Sequence, residues 1–327
     1  MKILIAATAE SCSGREEVLL ASALTDVLST KYRVDSFILP YEPDILATPE
    51  QITATQLLTL EDTDMLITIG YPAMFLNHPN KRICLADIAP TFHEYWNTHM
   101  GVLDVPATHR ARVAMIQAET VCLRSAHAIV CGSRLLQNDL QSRYKVRVTM
   151  HHFSYPLPSE ENIAETFSPY FVAIGSLSPS FRMHLLVDSI AESHGAWTLQ
   201  WFIPHGHSMY THALAEYIRT KGLEHRILLH YRSCPPAVLR NSHGYICLAH
   251  KPRRIPAPLI YAVQLGISIA IPRDGGAMTE LTKPSFAPIK TDISSYLDNL
   301  AIQPVATHVT HDALPTEIST LAERLVS

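Results

Sequence analysis

The sequence predicts an α/β protein built from two Rossmann-like, doubly wound domains. Three observations predict it. Short apolar runs alternate with amphipathic stretches along most of the 327 residues. Several of these runs are apolar throughout, as strands covered by helices on both sheet faces must be. The alternation breaks at a polar, proline-punctuated stretch, PLPSEENIAETFS at 156–168, and then restarts. A first domain is therefore expected at 1–155 and a second at 165–314, each long enough for its own core. Ligands of such sheets bind at the carboxyl ends of the strands, and a cleft between two such domains is the default location for a site.

In chain order, KILIAATA, VDSFILP, DMLITIG, RICLADI, AHAIVCGS and VRVTMHHF read as the strands of the first domain. A helix over 14–29 places Val18, Ala21, Leu24 and Leu28 on one face, and one over 108–126 does the same with Val113, Ile116, Thr120 and Leu123. In the second domain YFVAIGS, TLQWFIP, RILLHYR, HGYICLAH and ISIAIPR read as strands. Helices are expected near 180–193, 209–221, 235–241 and 256–265, and Lys221-Gly222 reads as a helix stop. A last amphipathic helix, about 315–326, carries Ile318, Leu321, Ala322 and Leu325. Repeated β-α-β spacing makes both sheets parallel.

Composition excludes several classes. With 47% hydrophobic and 17% charged residues the chain is globular, and a net charge of −4 argues for no nucleic-acid partner. Its 18 histidines are scattered. Neither His-Glu-x-x-His nor Cys-x-x-Cys occurs, and His151-His152 and His205-x-His207 lack a third ligand nearby, so no metal site is expected. Six widely spaced cysteines read as free thiols in a reducing compartment. Lys2-Ile3-Leu4-Ile5 reads as a first strand and no apolar run reaches 18 residues, so a soluble, cytoplasmic protein is expected, with peripheral membrane contact open. No Gly-x-Gly-x-x-Gly follows the first strand, which argues against a dinucleotide oxidoreductase.

Several motifs carry chemistry. Ser13-Gly14-Arg15-Glu16 is a capping box whose helix start can meet an anion, with Gly14 allowing close approach. Pro256 and Pro258 suit a helix first turn, and Arg253 and Arg254 lie just before it, where two guanidiniums would bind a diphosphate. Gly275-Gly276 in DGGAMTE offers backbone amides to a ligand. Asp62-Thr63-Asp64 imitates a metal-binding Asp-x-Asp but precedes its strand, so it reads as a strand start.

Five segments together resemble glycosyltransferases of the GT-B fold, family-4-like (group 1), over about residues 1–285. They are SGREEVLLASALTDVLS, RICLADIAPTFHEYW, AHAIVCGSRLLQNDLQSRYKV, FVAIGSLSPSFRMHLLVDSI and HKPRRIPAPLIYAVQLGISIAIPRDGGAMTEL. The resemblance implies an acceptor-binding first domain, with helix 315–327 packed back on it, and a nucleotide-sugar-binding second domain. It implies transfer of a sugar, of hexosyltransferase type, to an acceptor hydroxyl, with retention and without a metal. No cofactor is implied, the nucleotide sugar being the substrate; the acceptor would be a glycan, a lipid-linked sugar or a protein.

The chain departs from that pattern. The family's phosphate-clamping Arg and Lys fall on Ser176 and Phe181, with Arg182 one residue late. Its two donor-site acids fall on Arg253 and Tyr261, and its Gly-Gly-x-x-Glu loop has one extra residue before Glu280. A histidine expected after ICL is Ala86, leaving Asp87 and His93 as the candidate catalytic residues. Donor contacts would come from Gly14, Ser176, Arg182, Arg253, Arg254, Tyr261, Gly275, Gly276 and Glu280. These departures keep a second expectation open: an inactive pseudo-glycosyltransferase that serves as a partner subunit or as a glycan- or polypeptide-binding module.

Overall fold

The computed structural model describes residues 1–10, 16–42, 44–60, 63–88, 92–93, 96–97, 103–153, 169–175, 181–203, 209–249, 252–272, 275–281 and 318–327. The chain divides into two compact units, one of Met1–Pro156 with Pro315–Ser327 and one of Leu157–Leu314.

The first unit contains strands β1 (Lys2–Glu10), β2 (Arg33–Tyr41), β3 (Met65–Ile69), β4 (Lys81–Leu85), β5 (Ala128–Cys131) and β6 (Thr149–Met150). They form one sheet in the order β2-β1-β3-β4-β5-β6, parallel throughout. Every residue of β3 and β4 is buried, which is why both read as unbroken apolar or long-stemmed runs. VRVTMHHF gives only the short edge strand Thr149–Met150, with the His151 N–H adding a bond to the Cys131 carbonyl at 2.9 Å. Asp64 helps to hold the start of the sheet, since its Oδ2 accepts the Lys2 N–H at 2.7 Å.

Helices α1 (Glu16–Leu28), α2 (Thr48–Gln56), α3 (Pro106–Ser125) and α4 (Arg134–Tyr144) belong to this unit. Helix α4 starts at Ser133, whose hydroxyl accepts from the Leu136 N–H at 3.1 Å, and ends at Lys145 with φ +57°. The expected phase of α3 is wrong. Its buried stripe is Thr108, Ala111, Met115, Glu119, Cys122 and Leu123, while Val113 is 42% exposed. A glutamate inside the stripe broke its apolar pattern and shifted the apparent face.

Helix α9 (Ile318–Val326) buries Leu321, Ala322 and Leu325 and packs on α1, and Arg324 Nη1 donates to the Met150 carbonyl at 3.2 Å. Next to Met150 lies His151, 3% exposed, with no partner for Nε2 among the described residues. Burial, then Arg324 and His152, hold its pKa down to about 4. An unfolded histidine titrates near 6.5. Between those values only the unfolded chain takes up the proton, so stability falls as the pH falls through that window. Unfolding followed with urea is expected to show the first unit about 2 kcal/mol weaker at pH 5 than at pH 7, and His151→Gln should remove most of that difference. Equal pH dependence in the parent and His151→Gln would show that the proton goes elsewhere.

The second unit contains β7 (Tyr170–Ile174), β8 (Thr198–Phe202), β9 (Ile227–His230), β10 (Gly244–Ile246) and β11 (Ile269–Ala270). Their order is β11-β10-β7-β8-β9, again all parallel. The order reverses at β7 and β10, so the loops leaving the carboxyl ends of those two strands flank the topological switch point. Helices α5 (Met183–Glu192), α6 (Met209–Thr220), α7 (Pro236–Arg240) and α8 (Ala257–Gln264) link the strands. Helix α6 ends where Gly222 turns to φ +67°. Trp197, Leu199 and Trp201 join Phe171 and Ile190 in the core of this unit.

Candidate functional site

The switch point of the second unit is assembled from three segments. The first leaves β7 at Gly175 and returns at Phe181. A Cβ on Gly175 would meet the Phe181 ring at 3.1 Å, so the glycine lets that ring lie against the backbone. Arg182 follows in the left-handed region, φ +53°, at the N-cap position of α5. Such a backbone is uncommon for a residue with a side chain, and it turns Arg182 away from the direction a regular helix would give it. Ser176 lies outside the described residues.

The second segment follows β10. Pro256 is the N-cap of α8, with proline again in the first turn, as expected for a helix that needs no N–H there. Ahead of it Arg253 is 1% exposed and Arg254 is half-buried. Arg253 is thus no solvated surface cation: its side chain is buried in the segment that leads into α8. On α8 itself Tyr261 is half-buried, and burial pushes its phenol up to about 12. It stays protonated at neutral pH and can donate a hydrogen bond or offer its ring face.

The third segment follows β11. A 3-10 turn, Gly276–Glu280, begins at Gly275, where a Cβ would stand 2.9 Å from the Pro272 carbonyl, so only glycine fits. The Ala277 N–H donates to the Pro252 carbonyl at 2.7 Å and ties this turn to the segment holding Arg253 and Arg254. Glu280, half-buried, closes the turn. The fold therefore joins Arg253, Arg254, Gly275, Gly276 and Glu280 in one linked loop pair, beside the helix that carries Tyr261.

In the first unit, Gly14 lies outside the described residues. Asp87 is half-buried just beyond β4, its Oδ1 accepting the Ile88 N–H at 2.8 Å. The His93 side chain is only 2% exposed. Arg143 Nη1 lies 2.9 Å from its Nδ1, and an arginine can only donate, so Nδ1 is the accepting nitrogen. The ring proton then sits on Nε2, 2.9 Å from Glu119 Oε2. Tyr144 donates its hydroxyl to the same oxygen at 2.5 Å. Burial, then the Glu119 charge, push the Tyr144 phenol up, which keeps it a donor. Arg143 is held in turn by Asp139 one helical turn back. Both nitrogens of His93 are therefore engaged, and the linked side chains of Glu119, Tyr144, Arg143 and Asp139 fix the ring.

Sequence reasoning reached His93 but missed Glu119, Tyr144 and Arg143. The available signal was the spacing of Ala111, Met115 and Cys122 on α3, which places Glu119 on the same buried stripe.

No protein-family model matches the chain, and no curated protein matches it by sequence. Solved structures do match. The crystal structure of WaaG, a glycosyltransferase involved in lipopolysaccharide biosynthesis, is 10% identical over 98% of this chain and 94% of its own, with a TM-score of 0.65. Anabaena HepE in complex with UDP-glucose is 14% identical over 99% and 95%, with a TM-score of 0.63. A glycosyltransferase from Rickettsia africae is 12% identical over 99% and 93%, also at 0.63. The likeness shows the fold: two parallel-sheet, Rossmann-like units as in the GT-B glycosyltransferases.

Proposed function

We propose that the chain is a glycosyltransferase that transfers a hexose from a nucleoside-diphosphate sugar to an acceptor hydroxyl, with retention and without a metal ion. The observation that carries this reading is Arg253, buried at 1% exposure beside the amino end of α8 at the switch point of the second sheet. A fixed guanidinium and a helix amino end favour the charge that builds up on a leaving diphosphate. That the GT-B structures similar in fold include one holding UDP-glucose supports the same donor class.

In this reading Arg253 and Arg254 offset the cations missing at Ser176 and Phe181, and Arg182 approaches from its rewound turn. The amides of Gly275 and Gly276 meet the donor sugar or phosphate, with Glu280 at the end of their turn. Tyr261 contacts the ribose or base, and Ser176 and Gly14 allow close backbone approach. On the acceptor side Asp87 faces the incoming hydroxyl, while His93, buried with both nitrogens engaged, is a positioning residue that does not itself touch the acceptor. The acceptor is a glycan, a lipid-linked sugar or a protein, and no bound cofactor takes part.

One observation favours the second reading, an inactive relative that binds a glycan or serves as a partner subunit. The Phe181 ring lies against Gly175, where a phosphate-binding lysine would be needed. Thermal unfolding with UDP, GDP, ADP, TDP and CDP and their sugar conjugates separates the two. A ligand at about 100 times its Kd stabilises the native state by about 2.7 kcal/mol, a readily measured rise in Tm. We expect that rise with one nucleotide family. No rise with any of them, in folded protein at millimolar ligand, would decide for the inactive relative.

A further inference from the structure

Lys81 and Arg82 are neighbours at the amino end of β4, 3% and 6% exposed, and the pleat sends them to opposite faces of the sheet. On the α3 side the Lys81 Nζ donates to the Met74 carbonyl at 3.1 Å and meets Cys122 Sγ at 3.5 Å. Arg82, on the other face, has no such answer. Its Nε is sealed from solvent without a partner, while its terminal nitrogens are not sealed. Among the described residues its guanidinium makes no hydrogen bond and no ion pair. Burial lowers its pKa, with no carboxylate to oppose the effect, yet an arginine keeps its proton at neutral pH. In the sheet register Arg82 lies between Ile67 on β3 and Ala128 on β5, neither of which carries a charge. Ala128 ends at Cβ and leaves room beside the guanidinium. One strand further on, Arg147 stands two residues ahead of Thr149, which pairs with Val130, two residues beyond Ala128. Arg147 is exposed and forms no ion pair among the described residues. Two residues before Arg82, Asn80 continues the ladder, its carbonyl accepting the Leu66 N–H at 3.1 Å. The Asn80 Nδ2 donates to the Asp64 carbonyl at 3.1 Å, and its Oδ1 is buried with no partner.

We propose that this notch at the amino end of the first sheet binds a free phosphate ion, held by the Arg82 guanidinium and Arg147 over Ala128, with Asn80 Oδ1 accepting its P–O–H. A guanidinium offers paired N–H donors whose geometry matches two phosphate oxygens. The backbones of β4 and β6 run about 10 Å apart, two strand spacings, so two arginine side chains reach an ion between them. Asn80 adds an acceptor to these donors. A fully ionised oxyanion leaves that acceptor unpaired, whereas hydrogenphosphate fills it. Buried groups without partners are costly, so Arg82 and Asn80 both favour occupancy. Ligands of parallel sheets bind at the carboxyl ends of the strands, so this site is separate from any sugar-transfer site. The inference does not depend on the chemistry of the second unit.

Calorimetric titration of the full chain with phosphate, sulfate and methyl phosphate, at fixed ionic strength, tests it. At about pH 7.5 phosphate keeps a P–O–H, sulfate has none, and methyl phosphate has largely lost its own. Phosphate is expected to bind about tenfold more tightly than either, because both leave Asn80 Oδ1 unpaired. Arg82→Met should weaken phosphate binding about 100-fold, and Arg147→Gln about tenfold. Arg253→Met should bind phosphate as the parent does, which separates this notch from the diphosphate site of the second unit. Arg147→Gln changes an exposed side chain, so it carries the test alone if Arg82→Met does not fold. No binding of phosphate, equal affinity for sulfate or methyl phosphate, or parental binding by either first-unit variant would each overturn the proposal and leave the notch to water.

Discussion

Replacing Arg253 by methionine is expected to weaken nucleoside-diphosphate binding by about ten- to hundredfold. A hydrogen bond to a charged group contributes about 1.5–3 kcal/mol, and methionine supplies none. Methionine does keep the aliphatic volume of the buried stem, so the variant leaves no large cavity. Alanine would confuse the result by leaving a cavity at a position only 1% exposed. Arg254→Met, at a half-buried position, should cost less. Calorimetric titration of the nucleotide identified by thermal unfolding reads the effect directly. An unchanged Kd in Arg253→Met would falsify the assignment and make Arg253 an interior structural group.

The second large effect is expected at Glu119. Its Oε2 receives both the His93 Nε2–H and the Tyr144 hydroxyl, and the residue is fully buried. Glu119→Ala strands two buried donors and should cost about 3–5 kcal/mol, the usual range when one partner of a buried pair is removed. Glu119→Gln retains an acceptor oxygen for the same donors and should cost distinctly less. Denaturant midpoints of the two variants decide it. A loss below about 1 kcal/mol in Glu119→Ala would mean that water takes over the carboxylate's role.

Much of the fold was legible because parallel sheets write themselves plainly. Met65–Ile69 and Lys81–Leu85 are buried on both faces, and such strands leave apolar runs that alternation alone cannot mask. The phase of α3 was misread for the opposite reason. A carboxylate on the buried face looks like a solvent position, and Val113 on the exposed face looks like core. The Arg253 position was legible as a departure from a family pattern. Its burial was not, since an arginine's environment is set by the loops that close over it, here through the Ala277–Pro252 hydrogen bond. The network around His93 joins residues 26, 50 and 51 positions apart, a spacing that no local pattern encodes.

Helix α9 belongs to the first unit although the whole second unit precedes it in the chain. The first unit is therefore discontinuous, while Leu157–Leu314 is one uninterrupted stretch. During synthesis the strands of the first sheet emerge long before the helix that covers α1. At about 5–20 residues per second the roughly 170 residues in between take on the order of ten to thirty seconds. Through that interval the nascent first unit presents an uncovered apolar seat to chaperones, and the second unit, though later in sequence, is the first to have all its parts.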